Sequence, residues 1–131
     1  MKLLIKDKLL SVELMDTPEK QQSGMMERET LDGAMVFPYD YIDDRTFHMK
    51  NCKIPLDIIF VVKNTINTIH ENVPPCEHGT ICPNYYGRAD TVIELPGGFS
   101  TEYNIKLKDK IELLWVENKD YQKTQLSTMI G

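Results

Sequence analysis

At 131 residues, 41% of them hydrophobic and 27% charged, the chain has the length and composition of a single globular domain. A chain of this size buries about two-thirds of its unfolded surface and so does not require a metal or disulfide to hold it together. The formal net charge of −5, with the lysines scattered (Lys50, Lys53, Lys106, Lys108, Lys110), argues against a nucleic-acid partner gripped through its phosphates.

From the N-terminus, the apolar Leu3-Leu4-Ile5 is cut short by Lys6-Asp7-Lys8, so no secretory leader is read there. No apolar run reaches the roughly 18 residues of a membrane span. The expected setting is therefore the cytoplasm of the producing cell. Leu10, Val12 and Leu14 alternate with polar neighbours as a half-buried strand does. Asp16-Thr17-Pro18 is a helix start, and a polar helix from about Thr17 to Met26 is expected, anchored only at Met25 and Met26. Ala34 to Phe37 reads as a strand stopped by Pro38, and Tyr39 to Arg45 as a polar loop. Asp57 to Val62 is a continuous apolar run of β-type residues, which predicts a central strand buried on both faces. Lys63-Asn64 is a two-residue turn into a return strand from Thr65 to His70. Val73 to Arg88, with three prolines and two glycines, is expected as a long irregular loop. Thr91 to Leu95 is a strand broken by Pro96-Gly97-Gly98, Phe99 to Tyr103 is one helical turn, and Lys110 to Val116 is the last strand. Residues 1–131 form one domain, with about 117–131 as a polar C-terminal tail. Strands dominate and no βαβ spacing occurs, so the expected fold class is mainly β: a largely antiparallel β-sandwich or barrel with one or two short peripheral α-helices.

Four segments carry a family resemblance. Ser23-Gly24-Met25-Met26-Glu27-Arg28, Gly33-Ala34-Met35-Val36-Phe37, the stretch from Phe47 to Phe60 with its core Lys50-Asn51-Cys52-Lys53-Ile54-Pro55-Leu56-Asp57, and Val92-Ile93-Glu94-Leu95-Pro96-Gly97-Gly98 resemble, in order, the motifs of the DUF192 (UPF0127) family, over about residues 12–116. The resemblance implies a compact β-sandwich or barrel-like fold with small peripheral helices and no established activity. It also implies exported relatives and relatives in phages. The chain departs from the family pattern at His48, where Trp is usual, at Cys52, where Thr is usual, and at Lys108-Asp109, where Gly-Asp is usual.

Three constellations are candidates for chemistry. Lys50, Asn51 and Asp57 have a structural reading, Asn51 in a bend and Asp57 satisfying the N–H groups of a tight turn. Their functional reading joins Lys50 and Arg28 to Asp57 and Glu94 in a polar ligand pocket, Arg28 being suited to hold a carboxylate. Cys76 and Cys82 admit three readings: a disulfide worth about 2.4 kcal/mol by loop entropy, two free thiols, or a zinc site completed by His70 and His78. His48 and Cys52, four residues apart, lie too far from each other on a straight strand for a thiol–imidazole pair unless the chain turns at Asn51. The tyrosines Tyr39, Tyr41, Tyr85 and Tyr86 suggest a stacking groove.

No nucleophile, base and oxyanion group occur at a credible spacing. The leading expectation is thus a non-enzymatic binding or accessory domain that recognises a small polar ligand or a protein partner, without a cofactor, nucleic acid or membrane. Its ligand-binding candidates are Arg28, His48, Lys50, Asn51, Asp57, Tyr86 and Glu94. One alternative is a structural component of a phage particle, located in the virion. Another is a metal- or thiol-dependent enzyme built on the Cys76/Cys82 loop, with zinc held by His70, Cys76, His78 and Cys82.

Overall fold

The structure is a computed structural model that describes residues 1–77 and 79–115; the expected tail lies outside the described residues. In chain order the elements are β1 (Lys2–Ile5), β2 (Lys8–Leu14), α1 (Pro18–Ser23), β3 (Ala34–His48), β4 (Leu56–Val62), β5 (Thr65–Val73), β6 (Asn84–Pro96), α2 (Phe99–Glu102) and β7 (Ile111–Leu114). The strands form a seven-stranded sheet in the order β5-β4-β6-β3-β2-β1-β7. Every pairing is antiparallel except β2 with β3, which run parallel through Val12↔Ala34 and Leu14↔Val36.

This sheet curls into a half-barrel, the barrel-like form of the expected mainly β fold. Its two outer edges approach each other: Ile66 N–H donates to the Asp109 carbonyl at 2.9 Å, and Ile111 N–H to that of Asn64 at 2.9 Å. The hairpin between β4 and β5 turns at Lys63 and Asn64, both at positive φ (48° and 62°), the geometry that matches the twist of paired strands.

The central segments of three strands are dry on both faces, as the unbroken apolar run of β4 predicts: Ala34 through Phe37, Leu56 through Val61 and Val92 through Leu95 are all buried. Ala34, Val36, Ile59, Val61, Ile93 and Leu95 face the concave core with Leu3, Ile5 and Ile111. The alternate residues Met35, Phe37, Ile58, Phe60 and Val92 face a second core on the other side, covered by Met15, Met25, Met49, Cys52 and Cys76. A cover made of α1 and loops, not of a second sheet, closes this outer face. α1 begins at the Thr17 N-cap, as its sequence predicts, but ends three residues short of Met26, at Ser23. It has no buried residue, and its hold on the sheet comes from the Gln21 amide, which donates to the carbonyls of Met15 (3.0 Å) and Pro38 (2.9 Å).

Two expectations fail for one reason. β3 does not stop at Pro38; it continues to His48, because the β3–β6 register slips between Pro38 and Asp43 and a bulge accommodates the missing N–H. Arg45 holds the bulge, its guanidinium 4.0 Å over the Tyr39 ring and its Nε donating to the Ala89 carbonyl at 3.1 Å. Residues 39–45 are therefore strand rather than loop. Their partner β6 starts at Asn84, which shortens the expected long loop to residues 74–83.

Asp57, at the start of β4, is fully buried and accepts three backbone N–H groups: Asn72 at 2.7 Å and Gly98 at 2.9 Å on Oδ1, and Ser100 at 2.7 Å on Oδ2. One side chain thus fixes the end of β5, the turn after β6 and the start of α2. Next to it, Gly97 N–H donates to the Pro55 carbonyl at 3.0 Å, and a Cβ at Gly97 would stand 3.0 Å from the Pro55 ring. Asp57→Ala is expected to destabilise the fold by about 3 kcal/mol or more, since it leaves three donors without their acceptor. Urea unfolding of the variant checks this, and a loss under 1 kcal/mol would show that Asp57 is not a staple.

Candidate functional site

The turn that brings the site together lies between β3 and β4. Asn51 sits at φ 60°, donates its N–H to the Cys76 carbonyl at 3.0 Å and accepts from Glu27 N–H at 2.8 Å. Cys52 N–H reaches back to the Met49 carbonyl at 3.1 Å, and Cys52 bridges to Met26. The chain therefore does turn at Asn51, which returns Cys52 to the neighbourhood of His48.

Both side chains line a cavity of about 290 Å³ between α1, the turn and the outer face of the sheet. Gln21, Gln22, Ser23, Gly24 and Met26 form one wall; Phe37, Tyr39, Thr46, Phe47 and His48, all from β3, form another. The Phe37 and Phe47 rings meet edge to face with centroids 4.9 Å apart. Gly24, at φ 43°, brings bare backbone onto the floor: a Cβ there would stand 3.5 Å from the Phe37 ring and 3.8 Å from Glu94 Oε1.

The floor is Glu94, near the C-terminal end of β6. It is 3% exposed, and its Oε1 has no hydrogen-bond partner among the described residues. Burial pushes its pKa up from 4.5 to about 8, so at neutral pH the group is mainly the uncharged acid. Burial, followed by the charges of Glu94 and Glu27, raises the Cys52 thiol to about 11. That is the opposite of what a nucleophilic cysteine needs. Burial likewise raises the Tyr39 phenol.

Of the seven ligand-binding candidates, the cavity unites only His48 and Glu94. Arg28 turns outward into an ion pair with Glu13, its Nη2 2.7 Å from Glu13 Oε2, and is not beside Asp57 or Glu94. Lys50 is exposed, its backbone N–H on His48 Nδ1 at 3.1 Å. Asp57 is occupied in the staple described above. Tyr86 is 63% exposed and pairs with Thr46, on the same face of the ladder. Tyr41 also stands at the surface, so the four tyrosines do not assemble into one groove.

Cys76 and Cys82 are joined in a disulfide that closes the loop between β5 and β6. His70 lies away from that loop's thiols in role: its ring packs edge-on against Phe60 and Tyr85, and Nε2 contacts the Tyr86 carbonyl at 2.9 Å. His78 lies outside the described residues. The four-ligand zinc set is thus not assembled, and no cluster of three metal-ligating side chains occurs among the described residues.

Composition and spacing did not single out Gln21, Gly24, Met26 or Phe37 as site residues. One signal does point to the site: a glutamate inside the apolar run Val92-Ile93-Glu94-Leu95 places a carboxyl group on a strand with no wet face. Each of the four segments that carry the family resemblance contributes to the cavity wall: Ser23, Gly24 and Met26 from the first, Phe37 from the second, Phe47, His48 and Cys52 from the third, and Glu94 from the fourth.

Comparison with known proteins gives the same grouping. The model of the DUF192 family, described as an uncharacterized ACR, matches residues 1–113. A solved protein of unknown function from Novosphingobium aromaticivorans DSM 12444 is similar at 30% identity and a TM-score of 0.74, over 86% of this chain and 84% of that one. A Sinorhizobium meliloti 1021 protein, assigned provisionally as a transcription regulator, is similar at 29% identity and a TM-score of 0.72, over 85% of this chain and 89% of that one. No functionally curated protein matches.

Two outcomes are expected from this geometry. Because Glu94 is protonated when folded and has its ordinary pKa when unfolded, the folded state holds the extra proton between about pH 4.5 and 8. The associated stability is complete below that window and lost as pH rises through it. Relative to Glu94→Gln, the wild type should lose stability on the order of 1 kcal/mol per pH unit from pH 5 to 8; parallel pH profiles from chemical denaturation would contradict the burial of the acid. Cys52, the free thiol among the described residues, should resist alkylation at pH 7.5 in the folded protein and react at once in denaturant, as intact mass spectrometry would show.

Proposed function

The chain belongs to the DUF192 family, and from that premise we propose that it is a non-enzymatic binding domain whose cavity beneath α1 takes a small ligand through Glu94. The single observation that carries this reading is the buried acid with an unpartnered oxygen at the floor of an open cavity. A polar atom left unsatisfied in a dry site costs stability, and a ligand that hydrogen-bonds to it recovers that cost at the moment of binding. The cavity volume of about 290 Å³ lies at the lower limit of ligand pockets, roughly 300 Å³ and upward, which favours a compact molecule.

Binding is preferred over catalysis on the chemistry of the lining groups. The cysteine is held as a thiol, and the disulfide occupies the other two cysteines. The provisional regulator assignment of the Sinorhizobium relative is not carried over, since a net charge of −5 opposes phosphate contacts. The Cys76–Cys82 bridge favours an oxidising compartment over the cytoplasm expected from the sequence.

A fragment screen monitored by ¹⁵N NMR tests the reading. Binders should shift the amides of Gly24, Phe47, Cys52 and Glu94 together and lose at least tenfold in affinity in Glu94→Gln. Binders that cluster instead on the groove lined by Asn67, Ile69 and Leu107, with the cavity silent, would sink it.

A further inference from the structure

We infer that the ligand of this cavity is a small organic cation, a compact alkylammonium whose N–H meets the Glu94 carboxyl group and whose alkyl groups pack against Phe37, Phe47 and Tyr39. The inference rests on the binding reading above and narrows it to a chemical class.

Charge gives the first reason. The lining contains one acid and, in His48, one basic side chain, which sits at the exposed rim rather than on the floor. Arg28, Lys50 and Lys53 point elsewhere: Arg28 to Glu13, Lys53 toward Glu27 and Glu29, and Lys50 into solvent. Arg45, the guanidinium at the cavity's border, is held over Tyr39 and on the Ala89 carbonyl, so an anionic ligand would meet a buried acid and, among the described lining residues, no guanidinium or ammonium. A cation would supply the counter-charge that no described residue brings to Glu94.

The aromatic walls give the second. Phe37 and Phe47 stand perpendicular to each other at 4.9 Å, and rings so disposed around a cavity present π-electron density to an ammonium group. Tyr39 adds a third ring, with one face already under Arg45 at 4.0 Å, so the chain uses cation–π contact at the cavity's own border. The Glu94 carboxyl group, one of whose oxygens has no partner among the described residues, is the acceptor that the floor offers. A tertiary ammonium has one N–H to give it and methyl groups for the rings.

Proton linkage makes the class testable. The titratable groups that face Glu94 are Tyr39 and His48 from β3 and Cys52 from the turn; α1 presents the uncharged Gln21, Gln22 and Ser23. Binding of a cation ionises Glu94 and releases its proton to solvent. No covalent bond forms or breaks, and the proton goes to buffer.

The probes are N,N-dimethylethanolamine, a cation at neutral pH, and its uncharged isostere 3-methyl-1-butanol, titrated into the full chain by NMR and by calorimetry in buffers of different ionisation enthalpy. The amine is expected to shift the cavity amides and release close to one proton per site at pH 7. Its affinity should rise roughly tenfold from pH 6 to pH 7 and level off above about pH 8, and the rise should persist in His48→Gln. Glu94→Gln should abolish the proton release and weaken the amine at least tenfold, with the rest of the NMR spectrum unchanged. If the alcohol binds as tightly as the amine, or the amine binds without releasing a proton, the cation assignment is wrong and the binding site stands. If neither probe touches the cavity while other fragments do, the assignment again falls alone; if the whole screen leaves the cavity silent, both readings fall.

Discussion

Where the central strands run without a wet face, every polar group is constrained, and there β4 and β6 carry two buried carboxyl groups nearly side by side. Asp57 pairs in register with Leu95, and Glu94 with Ile58, so the two acids are one residue apart along the ladder. Since neighbouring residues on a strand point to opposite faces, Asp57 looks toward the concave core and Glu94 toward the outer one. The concave side meets the constraint with backbone: three N–H groups converge on Asp57. The outer side leaves Glu94 with an unpartnered oxygen and raises its pKa to about 8. One carboxyl group is a structural joint, and the other is an open valence held by the same sheet.

The cover over the outer face leaves a cavity beside that acid. A second sheet packed about 10 Å away would seal Glu94 in apolar side chains. Here the cover is a six-residue helix held by one glutamine side chain, a turn bonded between Glu27 and Cys76, and a disulfide-closed loop. None of these fills the cavity beside Glu94, because α1 ends at Ser23 and the next residue, Gly24, has no side chain to offer. The cavity thus follows from covering the outer apolar face of a curled sheet with short, irregular pieces. The long β3 with its bulge completes it: without the register slip after Pro38, the strand would not carry Thr46, Phe47 and His48 back over the face.

Sequence reasoning recovered what depends on local chemistry. The continuous apolar run of β4, the turn at Lys63-Asn64, the N-cap at Thr17 and the mainly β class are all legible because periodicity and turn residues report burial and dihedral preference directly. Pro38 misled because a bulge depends on the partner strand, and β6 was invisible where Asn84 to Arg88 lacks the apolar signature of a buried strand. The site was legible only as fragments. Glu94 and His48 are visible as oddities in their segments, whereas Gly24 and Phe37 become site residues only through pairings between distant segments. Arg28 and Asp57 looked functional for a sound reason, a charge near an apolar run, and the structure assigns them other partners: Glu13 for one, three amides for the other.

The contrast between these two acids bears on what Glu94 is for. Had the fold needed only a polar plug on the outer face, the means were at hand: backbone donors as at Asp57, or the arginine from the segment just after α1. Arg28 is instead committed to Glu13 at the surface, where an exposed pair contributes about 1 kcal/mol at most. Either arrangement would remove the desolvation cost that Glu94 carries. An apolar residue at position 94 would remove it as well, and would extend the Val92-Ile93 run into Leu95 without a break. A local choice that runs against stability while every surrounding choice favours it marks a place where the sequence answers to something other than folding. Among the described residues, no group supplies the partner that Glu94 Oε1 lacks.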